Sequence, residues 1–156
     1  LDKNTIASGQ VDWLVNGVVG SPCRWKVLVS DVIFNRTFTG SGSDDSWGGW
    51  AQGDQLEQTY ILRKISGVTG VLVLSGDRHY SAIDSGVNGG LPEGSASPFN
   101  NSDISVGGGV IWSNGSDQTG HKFGMLEIEA DNDAKITIFN ADGTQTASIT
   151  PLTIPT

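Results

Sequence analysis

Cysteine is almost missing from this sequence. Cys23 is the only one among 156 residues, so an internal disulfide and a cysteine-built zinc cluster are both excluded. It sits in Ser21-Pro22-Cys23-Arg24-Trp25 with no histidine near it in sequence, which predicts a partly buried, unreactive thiol. Basic residues are also scarce: 9 Lys and Arg stand against 17 Asp and Glu, a formal charge of −8. Such a surface repels phosphate backbones and anionic lipid heads, which argues against nucleic-acid and membrane-surface binding. No apolar run approaches the roughly 20 residues of a membrane span. An initiator methionine and a signal peptide are lacking too. The chain begins at Leu1 in mid-pattern, so a processed or incomplete polypeptide is expected.

What is present is an ordinary apolar fraction, 37%, and abundant glycine, 22 residues. The first supports one domain over residues 1–156 with a real core, and the second supports many turns. Val11, Leu14, Val15 and Val18 recur at helical spacing, and Gly20 and Pro22 end that pattern. Residues 25–29 read as a strand. Residues 37–52 are rich in Gly, Ser, Asp and Trp and read as a loop. Leu56, Tyr60, Ile61 and Ile65 predict a second helix closed at Gly67. Gly70-Val71-Leu72-Val73-Leu74 has no alternation, the mark of a parallel strand covered on both faces. The predicted fold class is therefore α/β, with residues 1–84 as its α/β part. Residues 85–121 read as a long loop region. Residues 122–156 read as an antiparallel meander, with turns at Asp131-Asn132-Asp133 and Asp142-Gly143 and a last strand at Thr146-Ala147-Ser148-Ile149.

In an open α/β sheet, ligands bind beyond the carboxyl ends of the strands. The strand at 71–74 delivers Ser75-Gly76-Asp77-Arg78-His79-Tyr80 to that edge, with Gly76 expected to provide the sharp turn. Asp77 and His79 combine carboxylate and imidazole, the usual ligand mix of a Lewis-acid metal. Arg78 between them suits a phosphate oxygen or a bracing salt bridge. From the residues alone, a surface Asp77–Arg78 ion pair with a hydrogen-bonded loop histidine is the competing reading. His121 could line the site or serve as a loop histidine. Trp47 and Trp50 could gate a substrate or cover the core, and Asp44 and Asp45 could bind calcium or form an acidic turn. Asn35, Asn100 and Asn114 stand in Asn-x-Ser/Thr sites.

Gly76-Asp77-Arg78-His79-Tyr80-Ser81 after an apolar strand resembles the Gly-Asp-x-His signature of PhoD-like alkaline phosphatases and phosphodiesterases. Gln10-Val11-Asp12-Trp13-Leu14, Trp25-Lys26-Val27, Asp45-Ser46-Trp47-Gly48-Gly49-Trp50, Ser95-Ala96-Ser97-Pro98 and Phe123-Gly124-Met125-Leu126-Glu127-Ile128 are similar to other elements of that family, in the same order. The resemblance implies half of a four-layer α/β/β/α metallophosphoesterase sandwich, the carboxy-terminal half. It implies Asp77 and His79 as metal ligands, and Arg78 and Tyr80 as catalytic neighbours. The centre implied is a mixed iron and calcium one that cleaves phosphate esters in a secreted, periplasmic or cell-surface protein. The family's remaining ligands, a cysteine among them, come from an amino-terminal half that this sequence lacks, and Cys23 does not take that cysteine's place. Asp31 stands where the family usually has Gln, and Asp54 where an arginine is common. The expected function is thus part of a phosphoesterase that another polypeptide completes. A non-catalytic structural module with the same fold is the alternative. A glycan-binding β-domain would use the tryptophans but leave Gly-Asp-x-His unexplained.

Overall fold

The computed structural model describes residues 9–35, 47, 53–98 and 111–155. The element order is α1 (Gly9–Gly20), β1 (Lys26–Val29), α2 (Gly53–Lys64), β2 (Val71–Ser75), β3 (Ser81–Ser85), β4 (Pro92–Ser95), β5 (Ser116–Asp117), β6 (Lys122–Ile128), β7 (Ala134–Asn140) and β8 (Leu152–Ile154). Helix α1 buries Val11, Val15 and Val18, as its spacing predicts, and leaves Trp13 and Val19 exposed. The second helix buries Ile61, with Ile65 just beyond its end. Ser66 Oγ donates to the Arg63 carbonyl there, and Gly67 turns the chain at φ 91°.

Five strands form a mixed sheet in the order β1-β2-β4-β3-β5, and three form an antiparallel sheet in the order β6-β7-β8. Strands β1, β2 and β4 run parallel, while β3 is antiparallel to β4. Val71 and Val73 of β2 pack among the residues of α1 and α2. Leu72 between them packs with Ile83, Ile136, Ile138 and Ile149 against the second sheet. The strand is covered on both faces, which explains its unbroken apolar run. Ile136 and Ile138 are at most 2% exposed, and burying each contributes roughly 1.5–3 kcal/mol. Close approach of the sheets depends on Gly94, where a Cβ would lie 2.6 Å from Ile136 Cγ2.

Several expectations need correction. The segment 85–121 is not loop throughout: it supplies β4 and β5, and β4 lies in the middle of the main sheet. The last strand of the meander is β8, not residues 146–149. Gln145 bridges Phe139 and Thr146 N donates to Ile138 O, but the chain then leaves the sheet and rejoins β7 at Leu152–Ile154. The excursion inserts Ile149, 2% exposed, into the core between the sheets. Cys23 is exposed, not partly buried, because it sits in the bend that leaves α1. Asn35 is fully buried and Asn114 half-buried, so Asn35 is no glycosylation acceptor in the folded chain. Asp44, Asp45, Trp50 and Asn100 lie outside the described residues. No helix among the described residues is long and apolar enough to cross a membrane.

Lys122 is 4% exposed and is held on β6 by Asp117 Oδ2 at 3.4 Å, Asn140 Oδ1 and the Thr119 carbonyl. Burial alone would raise the Asp117 carboxyl. Hydrogen bonds from Ser148 Oγ and from Thr119, with the Lys122 ammonium, outweigh it and bring the carboxyl down to about 2. A depressed carboxyl contributes stability that is present above its unfolded value of 3.8 and is lost as pH falls through about 2. Asp117→Asn is therefore expected to cost about 1–2 kcal/mol at pH 6 and to flatten the fall in melting temperature between pH 4 and pH 2. An unchanged acid limb in that variant would contradict this assignment.

Candidate metal-binding turn

Because β1, β2 and β4 are parallel, their carboxyl ends share one edge of the sheet. Strand β2 must connect to β3, yet β4 lies between them. Residues 76–80 therefore step across the end of β4, a lateral distance of about 10 Å at ordinary strand spacing. Asp77, Arg78 and His79 ride on this crossing.

Three segments meet beneath the turn. A Cβ placed on Gly76 would lie 3.9 Å from the Asp31 carbonyl oxygen, beyond β1, and 4.0 Å from that of Ala96, beyond β4. Ser30 N donates to Leu74 O at 3.0 Å and Ala96 N to Ser75 O at 3.2 Å. Ser81 Oγ donates to Ser97 O and accepts from Ser97 N, fastening the start of β3 to the segment after β4.

The sharp turn falls elsewhere than expected. Gly76 has ordinary room and no left-handed φ. Asp77 and His79 instead hold φ angles of 64° and 54°, a region that side-chain-bearing residues seldom occupy and that clusters at functional sites. The short crossing over β4 explains this, since two left-handed residues reverse the chain within five. Asp77 is exposed, and Arg78 and His79 are half-buried. Arg78 N donates to Gly76 O at 2.9 Å.

Tyr80 is 2% exposed. Its hydroxyl accepts from Trp112 Nε1 at 3.1 Å, the two rings meet edge to face, and the Arg78 guanidinium carbon lies 5.9 Å from the Tyr80 ring centre. Tyr80 therefore forms the floor under Arg78. Trp47 donates from Nε1 to Ser30 Oγ and packs its ring 5.4 Å from Phe34, so it covers the core. His121 is exposed, and its carbonyl pairs with Ala141 N.

Two buried carboxylates that the sequence reading does not single out face each other across the β3–β4 register, Asp84 and Glu93. Both are 0% exposed. Asp84 Oδ1 accepts from the backbone N–H groups of Gly86, Asn88 and Gly89, and Oδ2 from Asn88 Nδ2 and Ser113 N. The Asp-Ser-Gly-Val-Asn-Gly-Gly stretch is the one local hint, since Asp before such a run nucleates a side-chain turn. Glu93 Oε1 accepts from Phe34 N at 2.8 Å and Ser75 Oγ at 2.5 Å, and Oε2 from Asn35 N at 2.7 Å. Burial pushes the Glu93 carboxyl up to about 7 and Asp84 adds to the rise, while the hydrogen bonds from Ser75, Phe34 and Asn35 oppose it.

In donor chemistry the turn suits a metal, with a carboxylate and an imidazole presented from one crossing segment. As a ligand set it is partial: among the described residues no group of three or more His, Cys, Asp or Glu side chains converges to hold an ion.

None of the curated proteins compared with the chain matches it. A solved structure titled "Structure of PhoD" superposes with a TM-score of 0.58 at 14% identity, covering 99% of this chain and 37% of that one. The mixed α/β arrangement of two sheets is thus shared with that protein, of which this chain spans little more than a third. A family model described as PhoD-like phosphatase matches residues 2–137, a stretch that takes in the crossing turn, both helices and most of both sheets, and the chain therefore belongs to the PhoD-like phosphatase family.

Proposed function

We propose that this chain is the carboxy-terminal part of a metal-dependent phosphoesterase that hydrolyses phosphate mono- or diesters. The observation that carries the reading is the placement of Asp77 and His79 on one strained turn at the shared carboxyl end of three parallel strands. In this reading Asp77 and His79 hold the metal, which by family resemblance is iron with calcium. When bound, the metal supplies Lewis acidity toward phosphoryl oxygens. Arg78 binds and orients the phosphate oxygens of the ester, since its planar fork matches them. Tyr80 acts through Arg78, holding the guanidinium from below while its own hydroxyl stays tied to Trp112.

Among the described residues only two donors stand on this turn, fewer than a catalytic centre needs, and in this reading additional polypeptide supplies further ligands. The free side of β1 supports the same view. Among the described residues no strand pairs with it, and Val29 is 82% exposed beside the exposed Val27 and Trp13. An apolar sheet edge of this kind is what another segment covers. The layers described here, helices on sheet on sheet, then belong to the carboxy-terminal half of a four-layer α/β/β/α sandwich. The complete protein is secreted, periplasmic or on the cell surface in this reading.

The test compares the 156-residue chain with the complete polypeptide on p-nitrophenyl phosphate. The chain alone is expected to be inactive. The complete polypeptide hydrolyses the ester, loses that activity on chelation and regains it on adding metal back. A complete polypeptide that carries metal and cleaves neither a monoester nor a diester would leave the non-catalytic module as the correct reading.

A further inference from the structure

Glu93 lies on the helix-facing side of β4, in register with Val73 of β2 and Asp84 of β3. Its partners are remote from it in sequence, and one of them adjoins the turn. Ser75 is the last residue of β2, directly before Gly76, and its hydroxyl donates to Oε1. Phe34 and Asn35 lie on the segment that leaves β1, the same segment whose Asp31 carbonyl faces Gly76. That segment is itself held from outside, because Gln58 Nε2 donates to the Phe34 carbonyl and Asn35 Nδ2 to Ile111 O at 2.8 Å. One carboxylate thus joins the end of β2, the segment after β1 and the middle of β4, three of the elements on which the crossing turn rests.

Neither an amide nor an apolar side chain does this. The Phe34 and Asn35 N–H groups and the Ser75 hydroxyl are three donors aimed at two oxygens. An amide presents N–H to one of them, and an apolar side chain leaves all three without an acceptor in a dry interior. Ser95 supplies the contrast. It lies on the same strand and the same face, and its buried hydroxyl has no hydrogen-bond partner among the described residues.

We infer that Glu93 is a positioning residue for phosphate-ester hydrolysis, fixing where the Asp77–His79 turn stands relative to the segment after β1. The inference rests on the proposed function for its catalytic consequence, though not for its structural one. Groups hydrogen-bonded directly to metal ligands are worth about 10- to 100-fold in activity or metal affinity, and Glu93, bonded to Ser75 two residues before Asp77, acts at one remove from that.

The experiment uses the complete polypeptide and compares Glu93→Gln, Ser75→Ala and Ser95→Ala with the parent. Kinetics on p-nitrophenyl phosphate and amide hydrogen exchange of the peptide covering residues 75–80 are both measured. Glu93→Gln is expected to lower kcat by about 10-fold, the lower end of that range, with KM little changed, and to raise exchange in that peptide. Ser75→Ala moves both in the same direction by less, and Ser95→Ala moves neither. Should Glu93→Gln fail to fold, Ser75→Ala against Ser95→Ala carries the comparison. The inference is overturned if Glu93→Gln and Ser75→Ala match Ser95→Ala in both measurements. It is equally overturned if Glu93→Gln only lowers the melting temperature while kcat and exchange of residues 75–80 stay parental. If the parent hydrolyses nothing, the functional reading has failed instead, and the exchange data alone decide whether Glu93 holds the turn.

Discussion

Asp77→Asn in the complete polypeptide is expected to abolish phosphate-ester hydrolysis, a fall of about 1,000-fold or more in kcat, and to lower metal content with it. The substitution is informative because of the backbone it enters. Asp77 holds φ 64° and His79 φ 54°, and asparagine tolerates that region better than other side chains except glycine. Asparagine at either position keeps the turn while removing the carboxylate charge or the imidazole. Alanine at 79 would mix the loss of a ligand with backbone strain, so His79→Asn is the cleaner partner variant. Both residues lie beyond β2 and outside the core, so stability should stay within about 1 kcal/mol of the parent. Parental metal content and parental rate in both variants would remove the catalytic reading of this turn.

The second large effect is on folding. Asp84→Ala is expected to destabilise the protein by about 3 kcal/mol or more, read as a shift in the urea midpoint. The carboxylate is buried and gathers N–H groups from Gly86, Asn88, Gly89 and Ser113. Removing it leaves several buried donors to find other acceptors at once, and it loosens the link between β3 and β4 at the centre of the sheet. Asp84→Asn, which keeps one oxygen, should fall between. A loss below about 1 kcal/mol for Asp84→Ala would mean that the 86–89 turn is held by something else.

How much of this could be read beforehand differs from strand to strand. Strand β2 announces itself because both its faces are apolar and neither needs a distant polar partner. Helix α1 does so because Val11, Val15 and Val18 fall on one side of a helix. Strand β4, Pro92-Glu93-Gly94-Ser95, has almost no intrinsic strand preference. It is extended because β2 and β3 flank it, because Gly94 admits Ile136, and because Glu93 finds donors 58 and 59 residues away. No local pattern encodes such partners. Strand β3 is hidden for a related reason, since Ser81 and Asp84 look like surface residues and are buried. The identity of the candidate ligands was legible from residue types at a strand end. Their left-handed backbone was not, because it follows from the strand order, and Gly76 drew the expectation of a turn that its neighbours make.

That strand order also restricts the route by which the molecule can assemble. Strands β3 and β4 are joined by the short stretch 86–91 and can pair locally, whereas β2 pairs with β4 across about twenty residues of chain. A lone β4 would have to slide between two strands already tethered by residues 76–80. A finished β3–β4 hairpin needs only to dock along one edge of β2 as that tether folds over its end. The tether takes its shape at docking, when Ser75 meets Glu93 and Ala96 meets the Ser75 carbonyl. The candidate ligands are thus expected to come into place as the sheet closes, and not before it.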